Sequence, residues 1–107
     1  MASRLFEKYT LNNKVEVLGR FVVAPLPLFS SNFDGAINEA EREYLKNRAT
    51  GIDLYILGAT AVTQNEISFV SQPRAFNEKD LPSLSERAQI IKSQEALAIY
   101  QIHHVEL

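Results

Sequence analysis

Ile52-Asp53-Leu54-Tyr55-Ile56-Leu57-Gly58-Ala59-Thr60-Ala61-Val62 decides the fold, because this strand-like run follows directly on a helix. Its centre, Leu54 to Leu57, is apolar and short, as a strand in a sheet core requires. The helix before it opens at Asn38, a side chain that can cap the first turn. Glu41, three residues on, can return a bond to the backbone. Ala40, Tyr44, Leu45 and Ala49 form an apolar stripe, Lys46 and Arg48 suit the negative end of the dipole, and Gly51 is placed to stop the helix. The charges at Glu39, Glu41 and Glu43 complement the dipole and predict a solvated surface.

Upstream, Phe21-Val22-Val23-Ala24-Pro25-Leu26 is a continuous apolar run, the pattern of a strand buried on both faces in a parallel sheet. Before it, Tyr9-Thr10-Leu11 and Val15-Glu16-Val17 alternate apolar with polar around Asn12-Asn13, which predicts a hairpin. Pro27 to Ile37, with Ser30-Ser31-Asn32 and Asp34-Gly35, has the residues of a loop. Downstream, Thr63 to Pro82 predicts a long loop without regular structure, and loops of that length are more often functional than accidental. Pro82-Ser83 with Glu86 three residues later predicts a second capping box, and Leu84, Ala88 and Ile91 share a face of the helix it opens. A third strand, Leu97 to Ile102, leads into His103-His104.

Strands alternating with helices imply right-handed crossovers and parallel pairing, in a doubly wound sheet or a (β/α)₈ barrel. No Gly-x-Gly-x-x-Gly follows any strand, which counts against a dinucleotide-binding unit and favours the barrel. The expected architecture is therefore α/β: part of a (β/α)₈ TIM barrel over residues 1–107, with an N-terminal hairpin, about three parallel strands and two helices. A closed barrel of this type takes about 250 residues, against the 107 present. The third strand should then present an unpaired edge. Strand side chains left unburied forfeit about 1.5–3 kcal/mol each, so an isolated monomer is expected to be marginal.

Hydrophobic residues make up 46% and charged residues 22%, the balance of a globular chain rather than a disordered one. A net charge near −2 without a Lys/Arg cluster argues against nucleic acid and against an acidic membrane surface. No apolar run reaches the roughly 20 residues of a membrane span, and Arg4, Glu7 and Lys8 interrupt any signal-peptide core. A cytoplasmic location is the expectation. With no cysteine, disulfides, thiolate metal sites and a Cys nucleophile are excluded.

In a barrel, function collects at the C-terminal ends of the strands. Those ends are Ala24 to Phe29, Gly58 to Thr60 and Gln101 to His104. Gln101, a polar amide closing an apolar strand, can donate and accept hydrogen bonds. It suits either a ligand edge or the capping of strand ends and loop backbone. His103 and His104, adjacent on a strand, point to opposite faces and cannot converge on one metal ion. Ser30-Ser31 has no histidine partner in a nucleophile-elbow context.

Arg20-Phe21-Val22-Val23-Ala24-Pro25-Leu26, Ser30-Ser31-Asn32 with Asp34-Gly35, Gly58-Ala59-Thr60-Ala61-Val62 and Gln101-Ile102-His103-His104 together resemble the old yellow enzyme group of NADH:flavin oxidoreductases. The four motifs lie in the right order and cover Leu5 to His104. The resemblance implies an FMN-dependent barrel that passes hydride from NAD(P)H to a small electron-poor substrate such as an activated alkene or quinone. It places Ala24, Pro25, Leu26 and Pro27 against the isoalloxazine ring, with Ala59 and Gln101 at its pyrimidine edge. Phe29 and His104 take substrate-side positions, and the residues that protonate substrate lie beyond this stretch, so no catalytic residue is assigned.

Two positions depart from the family pattern. Pro27 stands where relatives carry Thr or Cys and supplies neither that side chain nor a backbone N–H. A lost hydrogen bond of this kind costs about 1–3 kcal/mol, so flavin affinity or potential should change. Val105-Glu106-Leu107 replaces the Gly and Arg that relatives carry after the histidine. The alternative is a non-catalytic α/β module that pairs its strand edge with itself or with another chain.

Overall fold

The computed structural model describes residues 4–26, 32, 34–64 and 72–103. Pro27, Phe29 and His104 lie outside the described residues.

The hairpin forms as β1 (Tyr9–Thr10) paired antiparallel with β2 (Glu16–Val17), Tyr9 opposite Val17. Its turn closes with the Lys14 N–H donating to the Leu11 carbonyl at 2.8 Å, and Lys14 takes the left-handed conformation at φ 69°. A type I turn followed by a left-handed residue is the usual form of a slightly longer hairpin loop. The Asn12-Asn13 pair therefore marks the turn, and the residue after it bears the strain.

A separate three-stranded sheet has the order β3 (Val22–Val23), β4 (Leu54–Ala61), β5 (Leu97–His103), and both pairings are parallel. Helix α1 (Glu39–Lys46) links β3 to β4, and α2 (Leu81–Lys92) links β4 to β5. The strand–helix–strand order of the sequence is thus observed, and the sheet stays open rather than closing into a barrel. Both helices pack on one face of it. Leu45 and Ala49, from α1 and the turn after it, and Ile91 from α2 meet Tyr55, Leu57, Ala98 and Tyr100 from alternate strand positions. The other alternate positions face away from the helices; of these Val22 and Ile99 are exposed, while Leu54, Ile56 and Leu97 are half-buried.

Four local expectations are revised. Phe21 and Val22 are exposed, so the first apolar run is an edge strand and is not buried on both faces. Helix α2 begins at Leu81, with Asp80 at the cap position and no side-chain cap bond. The expected capping residues are used between elements: Ser83 Oγ accepts from the Ile37 N–H at 3.1 Å, and Glu86 pairs with Arg42 of α1. At α1 the Asn38 cap is as expected, accepting from the Glu41 N–H at 3.0 Å. The Glu41 side chain, however, is buried rather than solvated, with Arg87 Nε donating to it at 2.8 Å. The described part of the long loop is also ordered: it contains a short 3₁₀ turn, Glu78–Asp80, and a parallel bridge between Ala61 and Arg74.

Candidate functional site

Parallel strands bring their C-terminal ends to one rim. Here that rim carries Ala24 to Leu26 after β3, Gly58 to Ala61 at the end of β4, and Gln101 to His103 at the end of β5.

The β4–β5 ladder runs in register from Leu54↔Leu97 to Leu57↔Tyr100 and resumes at Thr60↔Ile102. Two residues of β4, Gly58 and Ala59, therefore stand opposite one residue of β5, Gln101. That is a β-bulge, which re-aims side chains next to functional sites. Ala59 and Gln101, singled out separately in the sequence, are neighbours because of it.

Gln101 lies two residues from exposed Ile99 and one from Tyr100, which packs against the helices, so the alternation turns it to the open face of the sheet. Its side chain is exposed and makes no hydrogen bond to any described residue. Among the described residues it therefore caps neither a strand end nor a loop. Both bulge carbonyls are already engaged: Thr60 Oγ1 donates to the Gly58 oxygen at 3.0 Å, and Gln72 Nε2 to the Ala59 oxygen at 3.3 Å.

Beyond Val23, β3 no longer pairs with β4, and Ala24 to Leu26 leave the sheet. Further along β4, residues 73–75 pair with it instead: the Ala61 N–H donates to the Pro73 carbonyl at 2.9 Å and the Ala75 N–H to the Ala61 carbonyl at 2.7 Å. Leu26 is 60% exposed on the rim. His103 ends β5, and no group of three metal-ligating side chains occurs among the described residues. Reasoning from sequence did not single out Gln72; its signal was a polar amide in a loop too long to be idle.

An open sheet of parallel strands, with helices on one face and a bulged, amide-bearing rim, is a segment of a (β/α) barrel. The matching solved structures agree. An old yellow enzyme from Pichia sp. AKU4542 superimposes with a TM-score of 0.85 at 17% identity, over 95% of this chain and 26% of that one. Morphinone reductase, solved in complex with tetrahydroNAD, gives 0.84 at 19% identity, over 97% of this chain and 28% of that one. In sequence, a probable NADH-dependent flavin oxidoreductase, YqiG, from Bacillus subtilis (strain 168) is 37% identical over 100 residues, which are 94% of this chain and 27% of the relative. The family model for the NADH:flavin oxidoreductase / NADH oxidase family matches residues 4–106, and the chain belongs to that family. It spans about a quarter of the length of these relatives.

Proposed function

We propose that this chain forms one wall of the flavin site of an FMN-dependent NAD(P)H oxidoreductase. The observation that carries the reading is the exposed Gln101 amide, set by the β4 bulge beside Ala59 on the open face of the sheet. The pyrimidine edge of a flavin alternates acceptor, donor and acceptor, and an amide with one carbonyl and two N–H groups can match it. Ala59 is small enough for a ring to approach the backbone there. Ala24, Pro25 and Leu26, on the same rim, supply apolar surface for the ring, followed in sequence by Pro27, and Phe29 and His104 take the substrate side. The bound flavin would carry hydride from NAD(P)H to a small electron-poor acceptor; this chain's residues orient the ring and shield one edge from water.

Phosphate anchoring in such barrels comes from loops near the seventh and eighth strands, so the 107-residue chain alone should hold no flavin tightly and oxidise no NADH. The test joins this chain to the portion of the Bacillus subtilis relative beyond its matched residues. A yellow protein that bleaches with NADH under nitrogen supports the reading. A folded but colourless fusion overturns it.

A second reading is favoured by the outer edge of β5, which pairs with no other strand among the described residues, and by the exposed Ile99. An unpaired edge is a template for another strand, and two copies of the chain could pair there. Sedimentation that finds only monomer at high concentration rejects this second reading.

A further inference from the structure

We infer that Gln72 is a positioning residue, which fixes the β4 bulge and through it the place where Ala59 stands beside Gln101. The inference rests on the flavin-wall reading for its purpose, but not for its geometry.

A bulge interrupts a ladder and leaves backbone groups without their regular partners. A half-buried carbonyl in that state is unfavourable unless a donor is supplied. Gln72 supplies one. Its side chain is 1% exposed, and its Nε2 donates to the Ala59 carbonyl at 3.3 Å. The amide is itself held by its surroundings. Immediately after it, Pro73 and Ala75 bond the backbone of Ala61 on both sides of the Arg74 bridge, so Gln72 projects from a backbone pinned to the strand it braces. On its other side, a Cβ added at Gly35 would come within 2.9 Å of the Gln72 carbonyl oxygen and 2.7 Å of Arg74 Cγ. Gly35, in the loop after β3, therefore lies directly against this segment.

Gln72 thus lies between the loop leaving β3 and the β4 bulge, and the bulge in turn stands opposite Gln101 of β5. A residue that merely filled space at this point would not need an amide. Met has similar length and volume and would fill it equally well.

The test is NMR of the 107-residue chain and its Gln72→Met variant. In the wild type, the Gln72 side-chain amide protons should exchange with water at least tenfold more slowly than those of exposed Gln101. In Gln72→Met, the carbonyl shift of Ala59 and the amide shifts of Thr60 and Gln101 should move, while shifts of Leu45 and Ile91 in the core stay in place. Unchanged Ala59 and Gln101 shifts in a folded variant overturn the inference. If the variant does not fold, the wild-type exchange rates decide, and fast exchange at Gln72 overturns it. Neither readout involves flavin, so a colourless fusion protein would defeat the functional reading and leave this geometry standing.

Discussion

Arg87 of α2 and Glu41 of α1 form a buried ion pair, with Nε donating to Oε2 at 2.8 Å and side chains 1% and 3% exposed. Arg87 Nη2 also donates to the Gly35 carbonyl at 2.7 Å, so one guanidinium joins both helices to the loop that leaves β3. Burial strips water from both charges, and only the pairing and its added hydrogen bonds repay that cost. Removing one partner should therefore hurt more than removing both. Arg87→Met is expected to lower stability by about 3–5 kcal/mol. The double variant Arg87→Met/Glu41→Leu should recover much of that loss. Urea denaturation of the three proteins checks it, and a double variant no better than the single one would count against the pair as the cause.

The second cross-helix pair is different in kind. Arg42 and Glu86 link α1 to α2 near the surface, with side chains 35% and 39% exposed. The hydrogen bond from Arg42 holds the Glu86 carboxyl below its ordinary range. A carboxyl with a lowered folded pKa adds stability that is present above the unfolded pKa and lost as pH falls through the folded one. The wild type should thus lose more stability than Glu86→Gln on acidification below about pH 4.3. Solvent screening keeps the effect small. Melting curves from pH 6 downward for the two proteins should converge.

Tyr100 predicts a loss of stability in alkali. Its hydroxyl donates to the Leu84 carbonyl at 2.6 Å, and burial pushes its pKa up to about 12. In the unfolded chain a tyrosine ionises near 10. Between those values the unfolded state releases a proton that the native state keeps, so stability falls as pH rises from about 10. Tyr100→Phe is expected to flatten that decline, which denaturation at pH 9, 10 and 11 would show. Tyr55, raised in the same direction mainly by burial, leaves a smaller residual slope.

Two glycines should respond to alanine for different reasons. A Cβ at Gly19 would lie 2.5 Å from Asp53 Oδ2, the atom that accepts from the Phe21 N–H at 3.0 Å. Gly19→Ala must therefore displace the bond that starts β3 beside β4, at a cost of about 1–3 kcal/mol. Gly51 has open space around it but a φ of +79°. Gly51→Ala is expected to cost about 1–2 kcal/mol from backbone strain alone. Pairing each with Asp53→Ala separates the cases: the Gly19 penalty should shrink and the Gly51 penalty should not.

The fold was legible where periodicity and local chemistry decide structure. The apolar centre at Leu54 to Leu57, the Asn38 cap and the order of elements all followed from side-chain pattern, and the four motifs pointed to the family. What escaped depended on partners distant in sequence. Local spacing marks Glu41 as a capping-box residue but not as a buried one; the arrival of Arg87, 46 residues on, makes it a core residue. Ser83 and Glu86 have the spacing of a capping box, yet Ile37 and Arg42 offered them better partners. The bulge that joins Ala59 to Gln101 is likewise a property of two strands in register, invisible in either alone.

The face of the sheet turned from the helices supports one last prediction. Ile99, 39% exposed, lies centrally on β5, two residues before Gln101 and on the same side. In the flavin-wall reading this face points into a barrel interior, where a charge has no partner and costs several kcal/mol. In the self-pairing reading it lies where a second copy docks. Ile99→Glu separates the two. Introduced into the isolated chain, it should leave melting little changed, because the side chain is already partly in water, and it should weaken any self-association by tenfold or more. Introduced into the fusion with the remaining barrel, it should instead prevent folding or retention of flavin. Sedimentation velocity of the first protein and flavin absorbance of the second measure these outcomes, and a yellow, stable Ile99→Glu fusion would show that this face is not the interior of a barrel.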